Sequence, residues 1–207
     1  MFTTKLCPPL NERTCYWAAQ NGQLNSLKYA HEHRCPWNEN TCMYAARNSH
    51  LDCLQYAHEN GCPWDGDTCS YAALNGHLDC LQYAHENGCP LDEDTCIWAA
   101  QKGQLECLKY AHENGCFWNQ YTCRCAARNG HLDCLQYAHE NGCPWNIIVL
   151  QSNHSGIQTY AVKYNCPQSL RDYVKTKTIQ QTKLLAQEII AAALHPNRIL
   201  QWMDDDE

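Results

Sequence analysis

The stretch that decides the fold is residues 62–88, which read CPWDGDTCSYAALNGHLDCLQYAHENG. Residues 35–61 read CPWNENTCMYAARNSHLDCLQYAHENG and differ from it at six of 27 positions. The frame recurs without insertion in five units, the first of which is divergent and starts with Pro8: residues 8–34, 35–61, 62–88, 89–115 and 116–142. A fixed period of this length predicts a solenoid, in which each unit stacks on the next.

Each unit carries two helical patterns. In the first, small or apolar residues recur at i, i+3, i+4 and i+7, as in Cys69, Ala72, Ala73 and Gly76. We expect Asp67 or Thr68 to cap the start of this helix, and the pair Asn75 and Gly76 to end it. The second pattern gives a broad apolar arc over residues 78–84 and stops at Gly88. Because helices this short bury their faces only by stacking, the pattern predicts an all-α solenoid with capped ends.

Residues 72–88, AALNGHLDCLQYAHENG, resemble the AAxxGHLEVVKLLLExG core of ankyrin repeats. The period is shorter than the family's usual length of about 33 residues, and the missing residues fall where the β-hairpin finger would lie. The compact Cys-Pro-Trp form resembles ankyrin-like repeats of giant DNA viruses, algae and oomycetes. The resemblance implies protein binding without catalysis, and a viral source would imply the host cytoplasm.

The end of the chain departs from the repeat. Residues 143–165 form a sixth unit of 23 residues, which lacks about one helical turn of its first helix. Residues 178–194 have the pattern of a longer amphipathic helix, and the last residues are acidic. We therefore divide the chain into a repeat array at 1–165 and a helical cap with an acidic tail at 166–207.

Composition narrows the classes of function. The net charge is −7 and no run of Lys or Arg occurs, so we expect no nucleic acid partner. No apolar stretch approaches the roughly 20 residues that cross a bilayer, and the first residues lack the apolar core of a secretory signal. We therefore expect a soluble, cytoplasmic monomer in a reducing compartment, without a membrane partner.

Cysteine is unusually abundant, with 17 residues. Because the number is odd and the compartment is expected to be reducing, we expect free thiols that pack as small hydrophobic side chains. Cysteines within a unit are separated by 7, 11 or 9 positions, whereas structural zinc sites use close pairs. We expect no metal and no other cofactor.

Three repeating positions have a structural interpretation. Histidines near the end of each second helix are suited to bond the last carbonyls: His31, His58, His85, His112 and His139. A tryptophan row is expected to staple one turn to the next, at Trp37, Trp64, Trp118 and Trp145. A second aromatic row is expected to be partly buried between first helices, at Trp17, Tyr44, Tyr71 and Trp98, with Cys125 in the fifth place.

Function is expected where the repeats differ. The variable positions cluster on the first helix and form our candidate partner-binding set: Tyr16, Gln20, Met43, Arg47, Ser70, Leu74, Ile97, Gln101, Arg124 and Arg128. Apolar side chains on an expected surface suggest a partner that covers them, although neutral drift of a surface remains an alternative.

The sequence favours a non-catalytic adaptor, because it contains no Gly-rich phosphate loop, nucleophile elbow or metalloprotease motif. Two alternatives remain open. In one, the protein is a ubiquitin-ligase-type subunit that selects a target with its repeats and docks through residues 166–207. In the other, it is a metal-binding or redox-sensing protein that uses its cysteines and histidines.

Overall fold

The structure is a computed structural model that describes residues 11–166 and the isolated position 183. Within this part of the chain there are eleven α-helices, one 3₁₀ helix and no β-strand, so the predicted helical solenoid is confirmed. The helices are α1 (Glu12–Gln20), α2 (Leu24–Glu32), α3 (Glu39–Arg47), α4 (Leu51–Glu59), α5 (Gly66–Asn75), α6 (Leu78–Glu86), α7 (Glu93–Lys102), α8 (Leu105–Glu113), α9 (Gln120–Asn129), α10 (Leu132–Glu140), the 3₁₀ helix (Ile147–Gln151) and α11 (Ser155–Lys163).

Each 27-residue unit contains one helix pair. We call α1, α3, α5, α7 and α9 the first helices, and α2, α4, α6, α8 and α10 the second helices. The sixth unit differs, because a 3₁₀ helix of five residues stands where the other units have a first helix.

An Asn or Asp residue in extended backbone starts each first helix. In α5 it is Asp65, whose carboxylate accepts a hydrogen bond from the backbone N–H of Asp67 at 3.2 Å. The prediction that Asp67 or Thr68 caps this helix was wrong, because the helix already begins at Gly66 and Thr68 faces the core. The predicted end is confirmed, since Gly76 adopts the left-handed conformation with φ of +79°.

The core runs without interruption along the array. It is built from the alanine pair and cysteine of each first helix, from the leucine and alanine of each second helix, and from the cysteine of α4, α6, α8 and α10. Neighbouring first helices pack closely along the whole array, whereas neighbouring second helices touch far less. Small alanine side chains permit this close approach of neighbouring first helices.

Several expectations fall outside the described part of the chain. The helix predicted at residues 178–194 and the acidic tail belong to this group, as does the capping role of the segment. Among residues 11–166, no helix combines the length and the apolar character that crossing a bilayer requires.

Candidate partner-binding face

The first helices have one buried side and one accessible side. The buried side consists of the third, fourth, seventh and eighth residues, which in α5 are Thr68, Cys69, Ala72 and Ala73. The accessible side consists of the second, sixth and ninth residues, which in α5 are Asp67, Tyr71 and Leu74. These positions share one side of a helix, because they are spaced by four and three residues. We call this accessible side of the five first helices the inner face.

Aromatic rings form a connected row along the inner face. The Tyr71 ring meets the Trp98 ring edge-on, with centroids 5.0 Å apart. The Arg47 guanidinium carbon lies 5.8 Å from the centroid of Tyr44 and 5.3 Å from that of Tyr71, so it bridges two repeats. At the start of the array, Tyr16 stacks on Tyr44 with centroids 5.2 Å apart.

The structure places the ten predicted residues at three depths. Arg47 and Arg128 are exposed, and six are partly buried: Tyr16, Gln20, Leu74, Ile97, Gln101 and Arg124. Met43 and Ser70 are buried. The ninth position of each helix therefore lies on the inner face, while the fifth position lies at its edge.

The expected surface position of Ser70 and Met43 was wrong. Ser70 is 0% exposed, and its hydroxyl donates a hydrogen bond to Oδ1 of Asp92 at 2.8 Å. Met43 is 9% exposed. The physical reason is that the fifth residue of a first helix points towards the adjacent first helix. Ser70, for example, contacts Asp92 and Thr95 at the start of α7, and these residues cover it.

Sequence reasoning assigned the aromatic row to packing and left it out of the candidate set. Partial burial is observed at Tyr44, Tyr71 and Trp98, but Trp17 is 50% exposed and all four belong to the inner face. The signal was present in the sequence, because the sixth position lies one turn before the ninth, which was in the candidate set.

The repeating histidines connect one repeat to the next. Nδ1 of His58 lies 3.1 Å from the hydroxyl of Tyr83, and the imidazole stacks on Trp64 with centroids 3.8 Å apart. The expectation that these histidines bond the last carbonyls of their helix was wrong, because an asparagine does so instead. The side-chain N–H of Asn60 donates to the carbonyl of Tyr56 at 2.8 Å. The tryptophans thus link the turn that carries them to the second helices on either side, as Trp64 does with His58 and Tyr83, rather than one turn to the next.

The cysteines are buried and serve the stacking. Of the sixteen described cysteines, Cys125 is partly buried and the rest are buried. The Cys89 thiol donates to the carbonyl of the capping residue Asp65 at 3.0 Å, and the matching cysteine of each described unit makes the same type of bond. Burial raises the pKa of Cys53 to about 12, which keeps this thiol protonated at neutral pH.

Charge is distributed unevenly along the inner face. Carboxylates gather at the starts of α5 and α7, where burial and then the neighbouring Asp65 and Asp92 raise the pKa of Asp67. At the other end of the array, α9 carries Arg124 and Arg128 and no carboxylate. Within residues 11–166 no group of three or more His, Cys, Asp or Glu side chains could hold a metal ion.

Comparisons with known proteins agree on the repeat type. The family model described as ankyrin repeats (3 copies) matches residues 15–95 and 69–148. The crystal structure of the human ASB11 ankyrin repeat domain is similar, with a TM-score of 0.54 and 20% sequence identity. The similarity covers 63% of this chain and 69% of that chain. A comparison with curated proteins gave no match.

Proposed function

Because the chain belongs to the ankyrin repeat family, we propose that it is a non-catalytic scaffold that binds a partner protein through its inner face. Ankyrin repeat domains generally mediate interactions between proteins. The observation that supports this face is the connected row of Tyr44, Arg47, Tyr71 and Trp98. Tyr, Trp and Arg are the residues that contribute most to binding energy at protein interfaces.

Binding rests on a surface that is already ordered. The rings lean on one another across repeats, and the helices beneath them are fixed by the continuous core. Binding of a partner therefore costs little conformational entropy in the side chains of this face, so more of the free energy of contact contributes to affinity. An interface of standard size, about 1,200–2,000 Å², would span several repeats.

The proposal is tested by comparing two sets of variants in affinity purification from the native cell, followed by mass spectrometry. The inner-face variant combines Arg47→Ala, Tyr71→Ala and Trp98→Ala, and a milder variant, Leu74→Glu, adds a charge without removing a ring. The control variant combines Gln55→Ala, Gln82→Ala and Gln136→Ala, which change similarly accessible residues of the second helices.

We expect both inner-face variants to lose a protein that the wild type and the control retain. The melting temperature of each variant is measured in parallel, so that loss of binding is separated from loss of folding. Retention of every partner by folded inner-face variants would show that the inner face is not the binding surface.

The finer alternatives remain predictions. Docking of residues 166–207 to a ubiquitin-ligase-type complex concerns residues outside the described part of the chain, and pull-downs with and without this segment test it. The metal or redox alternative is tested by metal analysis and thiol titration of the native protein. The cytoplasmic location, the viral type of the repeat, the monomeric state and the lack of nucleic acid binding also stay predictions.

A further inference from the structure

Helix α9 differs in charge from the first helices before it. It carries Arg124 and Arg128, one turn apart, and no carboxylate. By contrast, α3, α5 and α7 each place at least one acidic residue in their first turn. Two arginines on one helix make this end of the inner face locally positive, although the chain has a net charge of −7.

The shortened sixth unit opens a cavity beside these arginines. The 3₁₀ helix Ile147–Gln151 has five residues, so it does not extend along α9 as a complete first helix would. The result is a cavity of about 250 Å³, lined by Arg124, Arg128, Ile148, Gln151, Ser152 and Asn153. The arginines and the amides of Gln151 and Asn153 offer several N–H donors to one space.

Hydrogen bonds hold the rim of the cavity in place. The Ser152 hydroxyl donates to the carbonyl of Ala127 on α9 at 2.7 Å. The Gln158 amide donates to the carbonyl of Ser152 at 2.7 Å, which ties the same loop to α11. The rim is therefore ordered before a ligand arrives, which lowers the cost of binding.

Among the described residues, no carboxylate occupies the guanidinium groups of Arg124 and Arg128. In the part of the chain that the structure describes, the ion pair found joins Lys109 and Glu106, and neither arginine pairs with a carboxylate. Arg124 lies 5.9 Å from the centroid of the exposed Tyr121 ring. A cation–π contact of this kind attracts the guanidinium to the ring without using its N–H donors.

We propose that this cavity binds an acidic segment of the partner protein, whose Asp or Glu carboxylates pair with Arg124 and Arg128. The inference rests on the proposed function, because it assigns a chemical class to the partner at the C-terminal end of the inner face. Carboxylate–guanidinium pairs are directional and charge-assisted, so they fix the register of an extended segment along the face.

The test uses the full chain and the acetylated, amidated peptide Glu-Glu-Gly-Glu-Glu as the probe. Titration is followed by NMR through the side-chain Nε–H signals of the arginines. We expect the signals of Arg124 and Arg128 to shift more than those of Arg13 and Arg47, and the affinity to fall as salt is added. The peptide Gln-Gln-Gly-Gln-Gln should produce no comparable shift.

The decisive variant is Arg124→Gln with Arg128→Gln, and Arg34→Gln, which changes an exposed arginine outside the inner face, is the matched control. We expect Kd for the probe to rise at least tenfold in the double variant and to stay unchanged in the control. Equal shifts at all arginines, equal binding of the glutamine peptide, or tighter binding of a phosphoserine peptide would each overturn the proposal.

Failure of this inference is distinguishable from failure of the proposed function. If the folded Arg124→Gln, Arg128→Gln variant keeps a partner that the Tyr71→Ala and Trp98→Ala changes remove, the scaffold function stands and the acidic segment is wrong. If probe binding depends on the arginines but no protein is lost from the inner-face variants, the proposed function is wrong while the anion site stands.

Discussion

At the scale of single residues, the repeats differ in whether the buried threonine hydroxyl of the first helix has a hydrogen-bond partner. The third residue of α5, α7 and α9 is a fully buried threonine. In α7, Thr95 donates its hydroxyl hydrogen to Oδ1 of Asp92 at 3.0 Å. The hydroxyls of Thr68 and Thr122 are buried and have no partner in the part of the chain that the structure describes. A buried hydroxyl without a partner has lost its hydrogen bonds to water and gained none.

We predict opposite effects of one substitution at these sites. Thr68→Val and Thr122→Val should each raise the free energy of unfolding by about 1 kcal/mol, because they remove a polar group that the fold leaves unpaired. Thr95→Val should lower it by about 1–2 kcal/mol, since it breaks a bond and strips Asp92 of a donor. Urea denaturation of the three variants checks this, and destabilisation of the same size at all three sites would contradict it.

Burial of single residues could be predicted from the sequence, whereas their contacts across repeats could not. Burial of the cysteines followed from their helical spacing, and it is observed. The bond from the Cys62 thiol to the carbonyl of Asn38 did not follow, because it joins residues 24 positions apart that meet only after stacking. The fate of Ser70 was missed for the same reason, since its partner Asp92 belongs to the next unit.

At the scale of elements, a histidine joins neighbouring second helices, or α10 and α11, at each described repeat boundary, and at four of the five it also stacks on a tryptophan of the intervening turn. His139, near the end of α10, lies 2.9 Å by its Nδ1 from the hydroxyl of Tyr160 on α11. Its ring stacks on Trp145 in the intervening turn, with centroids 3.9 Å apart. Helical period predicted the elements, but a polar contact between them depends on side-chain directions that a period does not contain.

The boundary at His139 predicts a dependence of stability on pH. Burial lowers the pKa of His139 below its ordinary value of 6.5, so the folded protein favours the neutral ring. The stability that depends on a neutral His139 is therefore fully present above pH 6.5. It is lost as the pH falls from 6.5 towards the lower pKa of the folded state, because the unfolded chain then binds the proton more readily.

We expect His139→Asn to reduce the loss of unfolding free energy between about pH 7.5 and about pH 5.5, because this variant cannot take up the proton. Chemical denaturation across this range gives the comparison with the wild type. His33→Asn is the control, since His33 is exposed and bonds the carbonyl of Tyr29 in its own helix. Parallel pH profiles for the wild type and His139→Asn would refute the assignment.

At the scale of the whole molecule, period and fold class were the most predictable features. Both follow from a pattern repeated five times, in which every copy demands the same environment. The inner face was predicted only in part, because ninth-position residues such as Arg47 were chosen for their variation while Tyr44 was assigned to packing. The cavity beside Arg124 was not predicted, since it results from residues that the sixth unit lacks.

A linear array also predicts how damage spreads. Each helix pair contacts its neighbours along the chain, so stability is close to a sum of repeat and interface terms. Leu27, in the first pair, and Leu81, in the third, are both fully buried, and truncation of either to alanine should cost about 2–5 kcal/mol locally. The consequence for the described array should nevertheless differ, because Leu81 has helix pairs on both sides and Leu27 belongs to the first described pair.

We expect hydrogen exchange of Leu27→Ala to show lost protection in α1 and α2 and nearly unchanged protection in α7 to α10, since only the terminal interface is weakened. Leu81→Ala should lower protection on both sides of α6, and its urea transition should broaden as the two halves unfold separately. A uniform loss of protection in Leu27→Ala, with a single sharp transition in both variants, would mean that the array unfolds as one unit. In that case coupling between repeats exceeds the local cost of the lost side chain, and the interfaces between first helices dominate the stability of the molecule.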